Sequence, residues 1–248
     1  MLGIFDSGVG GLTVVRELLR RHPQASFVYF GDTARTPYGN KSADRIRAYA
    51  EDDVRFLLDH GVTSVVAACN TVSAVAMDHL RATFPSVPFF DVITPVVETA
   101  LSLSVKTIGV IGTRATIGSD IYARLLRARD PSLDILSVAC PLFVPIVEEN
   151  WMRHPETKRL VRTYLQPLRQ KQVDALILGC THYPFLADVI RASLQKRVNL
   201  VDTPSAVVSL IERAVPDPLV QRAAPQRSFY FSDETDQTKQ IVARWIGT

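Results

Sequence analysis

Twice in this chain an apolar run of strand length ends on a cysteine, passes through small polar residues and enters a helical pattern. The two stretches are Ser64-Val65-Val66-Ala67-Ala68-Cys69-Asn70-Thr71 and Leu176-Ile177-Leu178-Gly179-Cys180-Thr181-His182-Tyr183-Pro184. Short continuous apolar runs bounded by turn residues read as strands buried on both faces, the habit of a parallel sheet covered by helices. Such a strand delivers its polar tip to one edge of the sheet, and two of them restrict the chain to an α/β architecture with two equivalent tips. Either cysteine alone reads equally well as a small core residue, and the repetition is what favours chemistry. A thiol at a helix N-terminus has its thiolate stabilised by the helix dipole and free N–H groups, and His182 is a proton-transfer partner for Cys180.

The rest of the chain alternates in the same way. Leu2 to Phe5 predicts a strand, the turn Asp6-Ser7-Gly8-Val9-Gly10-Gly11 follows, and Leu12 to Arg21 has helical spacing. That turn lacks the third glycine of a dinucleotide fingerprint, and a carboxylate at Asp6 would repel a pyrophosphate. Further strands are expected over 26–30, 62–67, 87–92, 107–111, 133–138, 198–201 and 228–231. Helices are expected over 42–60, 72–83, 95–103, 117–129, 143–150, 156–170, 185–195, 204–214 and 235–246, with an exposed Pro-rich linker over 216–225. In the loop Arg35 to Asn40 the one aromatic, Tyr38, reads as a surface turn residue ahead of a lid over a site. Asp6 lies 63 residues before Cys69, and Thr113 lies 67 before Cys180, with like units in like order between them. The expected fold is therefore two pseudo-symmetric α/β lobes with mainly parallel sheets and the active site in the cleft between them. Residues 1–93 and 205–248 would form the first lobe and 94–204 the second.

Bulk properties exclude several classes. The 248 residues are 47% hydrophobic, enough for an ordinary core. With 28 basic and 25 acidic residues spread throughout, nothing demands nucleic acid or a membrane surface. Three cysteines at 69, 140 and 180 make neither a disulfide framework nor a metal-ligand spacing, so no metal is expected and the expected compartment is the cytoplasm. Cys140, followed by Pro141 and without activating neighbours, reads as buried and inert. His22, His60, His79 and His154 show no partner pattern and read as surface residues.

The run Gly3 to Thr13, Gly31-Asp32-Thr33 with Pro37-Tyr38-Gly39, Cys69-Asn70-Thr71, Gly109 to Thr113 and Leu178 to Pro184 together resemble the glutamate racemase family of the aspartate/glutamate racemase superfamily. The resemblance covers nearly the whole chain and its motifs come in the family's order. It implies an isomerase interconverting L- and D-glutamate without a cofactor and supplying the D-isomer for peptidoglycan. It implies Cys69 and Cys180 as acid/base thiols with Asp6 and His182 as their helpers. Asp6, Ser7, Tyr38, Gly39, Asn70, Thr71, Thr113, Thr116, Thr181 and His182 would surround the substrate, and Asp32 and Glu148 would support them from behind. Glutamate is the expected small-molecule partner, a second copy of the chain the expected assembly as a homodimer, with no nucleic acid and no membrane. Val72, the run Asp91 to Pro95 and Arg114 depart from the family's usual pattern.

The chemistry of the residues agrees. A thiol of ordinary pKa is about 3% ionised at pH 7, and making it mostly thiolate takes roughly 2 kcal/mol, the top of what a helix N-terminus supplies. His182 can add the remainder for Cys180, and Asp6 can accept a proton from Cys69. Two alternatives share the fold: a racemase of aspartate or another amino acid, and a non-catalytic amino-acid binding module. A requirement for both thiols separates the enzymes from the module.

Overall fold

The computed structural model describes residues 1–194, 198–214 and 225–246. The order of elements opens with β1 (Leu2–Asp6), α1 (Leu12–Arg21), β2 (Phe27–Gly31), α2 (Ala43–Asp59), β3 (Ser64–Ala67), α3 (Asn70–Val75), α4 (Met77–Thr83) and β4 (Phe89–Asp91). It continues with α5 (Ile93–Ser102), β5 (Thr107–Gly112), α6 (Arg114–Gly118), α7 (Ile121–Arg129), β6 (Asp134–Ala139), α8 (Phe143–Glu148), α9 (Pro155–Lys171) and β7 (Ala175–Gly179). A 3₁₀ turn over Tyr183–Leu186 then leads to α10 (Ala187–Ser193), β8 (Asn199–Val201), α11 (Thr203–Ala214), β9 (Arg227–Phe231) and α12 (Asp236–Ile246).

Every strand pairing is parallel. The first sheet runs β4-β3-β1-β2-β9 and the second β6-β5-β7-β8. Reversing the second gives β8-β7-β5-β6, which matches β4-β3-β1-β2 position for position, so the chain is two copies of one α/β plan with β9 added to the first. The strands β1, β3 and β7 are buried throughout, as strands covered on both faces must be. Because β3 and β7 occupy equivalent places, Cys69 and Cys180 emerge at equivalent edges, the carboxyl ends where α/β sheets bind ligands. Helix α11 packs against both α1 and α5, so it is shared by the layers of the two sheets.

Two helices expected to be continuous are divided, both beside the sheet edges. The pattern over 72–83 breaks at Ala76 into α3 and α4, and α3 starts two residues earlier than expected, immediately after Cys69. The pattern over 117–129 becomes α6 and α7, with Asp120 between them in the left-handed region at φ 55°. Thr113 caps α6, its hydroxyl accepting from the N–H of Thr116 at 3.2 Å, which draws the helix start back to the end of β5. The segment after Cys180 starts as a 3₁₀ turn, where the sequence pattern suggested a helix from Pro184. Most of the expected linker 216–225 lies outside the described residues. Among the described residues no helix is long and apolar enough to cross a membrane.

Candidate active site

The carboxyl edges of the two sheets face one another across a small cavity. From the first lobe it is lined by Ser7, the loop Thr36 to Gly39, and Cys69, Asn70 and Thr71; from the second by Thr113, Val144, Cys180, Thr181 and His182. Its free volume is about 20 Å³, far below the roughly 300–1,000 Å³ of ordinary ligand pockets. As it stands the cavity has room for about one water molecule.

Missing side chains allow this closeness. A Cβ on Gly10 would stand 2.1 Å from Thr181 Oγ1 and 2.6 Å from His182 Cε1, so the β1–α1 turn is pressed against the Cys180 tip. A Cβ on Gly39 would stand 2.4 Å from the Cβ of Thr113. Hydroxyls complete the seam: Thr71 Oγ1 lies 2.9 Å from Thr113 Oγ1 and 3.3 Å from Thr116 Oγ1, and the last two lie 3.0 Å apart. On the rim Arg114 donates to Asn40 Oδ1 at 3.3 Å.

The two thiols have different company. Cys69 caps α3 and donates to Ser7 Oγ at 3.4 Å. Burial, and then the nearby Asp6 charge, push its pKa up to about 12, against the opposing pull of Ser7 and the Val72 N–H. The loss of water on burial therefore outweighs what the start of this six-residue helix supplies to the Cys69 thiol. Asp6 accepts from the Gly8 N–H at 3.0 Å through Oδ1. Among the described residues its Oδ2 is buried without a hydrogen-bond partner. Burial pushes the Asp6 carboxyl above its ordinary range, although His182 and the N–H groups of Gly11 and Gly8 pull the other way.

Cys180 has a chain of partners instead. His182 Nδ1 lies 3.9 Å from Cys180 Sγ, and His182 Nε2 lies 3.0 Å from Glu148 Oε1. Burial works to lower the His182 pKa, but its hydrogen bonds to Cys180 and Glu148 outweigh that and push it up to about 10. Glu148 is about a quarter exposed and opens on an adjoining groove lined by Gly8, Thr36, Asp233 and Gln237. The contacts of Cys180 thus lead through His182 to Glu148 and the solvent-facing groove.

Tyr38 corrects a sequence reading. Expected as a surface turn residue, it is fully buried, and its hydroxyl bonds to the carboxylates of Asp32 and, at 3.0 Å, Asp53. Arg35 ties the same pair together, donating to Asp32 and at 2.9 Å to Asp53, while its guanidinium lies 4.3 Å over the Tyr49 ring. Ser232, after β9, donates to Asp32 at 2.7 Å. Burial and then the neighbouring Asp32 hold the Asp53 pKa well above the usual carboxylate range. This network anchors the loop that brings Tyr38 and Gly39 to the cavity. Sequence reasoning passed over Arg35 and Asp53; the available signal was a charged residue at a helix position whose neighbours Val54 and Leu57 face inward.

Cys140 is buried outside the cavity, and burial pushes its pKa well above the ordinary thiol value. The four remaining histidines do have partners: His22 with Glu212, His60 with the Phe56 carbonyl, His79 with Glu51 and His154 with Glu156. Among the described residues no cluster of His, Cys, Asp or Glu could hold a metal ion.

Two thiols on facing sheet edges around one cavity mark this as a two-lobed α/β protein with its candidate site between the lobes. Comparison with known proteins makes the class particular. The model of the Asp/Glu/Hydantoin racemase family matches residues 12–211, and the chain belongs to that family of isomerases. It is 39% identical over 253 residues to the glutamate racemase of Chlorobaculum tepidum, covering 100% of this chain and 92% of the relative. It is 41% identical over 252 residues to that of Syntrophus aciditrophicus, covering 99% and 92%. Among solved structures, the glutamate racemase of Francisella tularensis in complex with D-glutamate superimposes with a TM-score of 0.93 at 35% identity, covering 100% of this chain and 93% of that one.

Proposed function

We propose that this protein interconverts L- and D-glutamate without a cofactor, one thiol taking the α-proton while the other returns a proton to the opposite face of the same carbon. The observation that carries the reading is that Cys69 and Cys180, at the ends of equivalent strands in the two lobes, line one cavity. The glutamate racemases to which the chain is 39% and 41% identical support glutamate as the substrate.

In the resting enzyme Cys69 is a neutral thiol, the state of a proton donor. A protonated His182 beside Cys180 is the partner that a thiolate base needs. Attack by Cys180 breaks the Cα–H bond and leaves an electron pair that spreads into the substrate carboxylate. The Cys69 proton then adds to the other face. The reverse reaction starts with the two protonation states exchanged. N–H groups at the start of α3, with the hydroxyls of Ser7, Thr71 and Thr181 and the amide of Asn70, suit the stabilisation of the developing anion. The open Asp6 Oδ2 suits the substrate ammonium or the Cys69 proton. Thr113 and Thr116, joined to Thr71, suit the side-chain carboxylate. Asp32 and Glu148 act through Tyr38 and His182. The product would feed peptidoglycan synthesis in the cytoplasm, with the protein a homodimer.

Racemisation of L-glutamate in deuterated water tests the mechanism. At under a tenth of conversion the D-glutamate should be almost wholly α-deuterated while the remaining L-glutamate stays protonated, because donor and acceptor are different groups that exchange with solvent. Substantial protonated D-glutamate would defeat the two-thiol reading, and no exchange in either isomer would indicate a binding module. The same assay after dialysis against chelator and without pyridoxal phosphate tests independence from cofactors.

A further inference from the structure

A chain of hydrogen bonds runs behind the cavity and joins the two cysteine tips. The Tyr122 hydroxyl, from α7 in the second lobe, donates to Asn70 Oδ1 at 2.6 Å. Asn70 follows Cys69 directly, and its Nδ2 donates to Thr203 Oγ1 at 3.4 Å. Thr203, the first residue of α11, donates in turn to the Leu178 carbonyl at 3.4 Å, in the strand that ends at Cys180. Since the Thr203 proton goes to Leu178, its oxygen accepts from Asn70, and the carbonyl end of the amide must face Tyr122. All three side chains are at most 2% exposed. Tyr122 is held in turn, for a Cβ on Gly179 would stand 3.1 Å from its ring.

We propose that Tyr122 is a positioning residue for the racemisation: by donating to Asn70 Oδ1 it fixes which end of the amide faces the cavity and keeps an N–H there for the substrate anion. The inference rests on the proposed reaction, deepening it at the Cys69 tip. A neutral phenol can only donate to an amide oxygen while that oxygen points at it. Burial, and then the charges of Asp91 and Cys180, hold the phenol far above its ordinary pKa, so it remains a donor throughout the working pH range. Because Tyr122 belongs to the opposite lobe, the alignment of Asn70 depends on the contact between the lobes.

Tyr122→Phe removes the hydroxyl and keeps the ring against Gly179. Expected is a roughly 10-fold loss of kcat/KM for glutamate, with no more than about a 2-fold further loss when the change is added to Asn70→Ala, as residues acting through one another are non-additive. A multiplicative double variant, or Tyr122→Phe with wild-type kinetics, would overturn the proposal. Should Asn70→Ala fail to fold, Tyr122→Phe with Thr203→Val runs the same cycle. An activity-independent readout is the side-chain amide of Asn70 in a ¹⁵N NMR spectrum. One sharp pair of signals in the parent should broaden or double in Tyr122→Phe, and an unchanged pair would overturn the proposal even if the parent turned over a different amino acid. Failure of the parent to racemise glutamate, with the amide signals still perturbed, would count against the substrate and not against Tyr122.

Discussion

Cys69 and Cys180 end equivalent strands in two copies of one plan, yet the copies have furnished them differently. Among the described residues Cys69 has around it a hydroxyl partner, a buried carboxyl with one unpaired oxygen and a helix of six residues. Around Cys180 there is a histidine, and behind it a glutamate that touches a solvent-facing groove. The first thiol is held neutral by loss of water; the second sits beside a cation whose charge is secured by two hydrogen bonds. A symmetric fold has thus given the same residue type two different sets of neighbours. Backbone topology sets where a thiol stands, while the nearest few side chains set which proton state it rests in.

The largest expected effect tests whether the two thiols are equally needed. Cys69→Ala and Cys180→Ala should each lower kcat by roughly 10³-fold or more, in the upper range for loss of an acid/base group, whereas Cys140→Ala should behave as the parent in the same racemisation assay. A Cys140 variant that is folded but as inactive as the others would break the comparison at its root.

Next in size is His182→Asn, which removes the cation from one side only and should cost roughly 10²-fold. L- and D-glutamate have equal free energy, so kcat/KM must fall by the same factor in both directions. The asymmetry should appear in the pH profile. With its pKa raised to about 10, the His182 charge is fully present below the ordinary histidine value and lost as pH rises through about 10. The interactions it makes stabilise the fold in the same sense, strongest below that ordinary value and fading through about 10. A profile of kcat/KM in the parent should therefore show an alkaline limb near pH 10 that is absent from His182→Asn. Glu148→Gln should shift that limb to lower pH, because the hydrogen bond it weakens is one of the two that raise the His182 pKa.

Gly10→Ala probes the contact between the two tips. Its Cβ would overlap Thr181 Oγ1 and His182, so the second tip must move. An expected loss of about 10-fold in kcat/KM, with a folded circular dichroism spectrum, would follow from a displacement well under the ~1 Å that costs a hundredfold. Unchanged kinetics would mean that His182 needs no such placement.

The smallest effect is expected at Asp53, where burial and the neighbouring Asp32 hold the carboxyl pKa well above the ordinary range. Asp53→Asn keeps the shape and polar atoms within reach of Arg35 and Tyr38 and should shift thermal stability by less than about 1 kcal/mol, whereas Asp53→Ala, which strands both partners, should cost about 1–3 kcal/mol. Equal losses in the two variants would show that the carboxylate is ionised.

The sequence by itself determined the alternation of strands and helices, because apolar runs and turn residues act over a few neighbours. It determined the place of both cysteines, since a buried strand running into small polar residues reaches a sheet edge in any fold of this class. Asp6, Ser7, Asn70, Thr71, Thr181 and His182 could be read for the same local reason, lying in the turns that follow strands. The divided helices at Ala76 and Asp120 were not read, because the apolar pattern runs through both without proline. Nor could the burial of Tyr38 or the pairing of Arg35 with Asp53, which depends on α2 crossing behind a loop some 15 residues earlier in the chain. The strand order and the direction in which burial moves the Cys69 thiol were decided by tertiary structure alone. A thiol's pKa follows from how much water is removed and which charges come near, and at Cys69 that balance ran opposite to what its helix position implied.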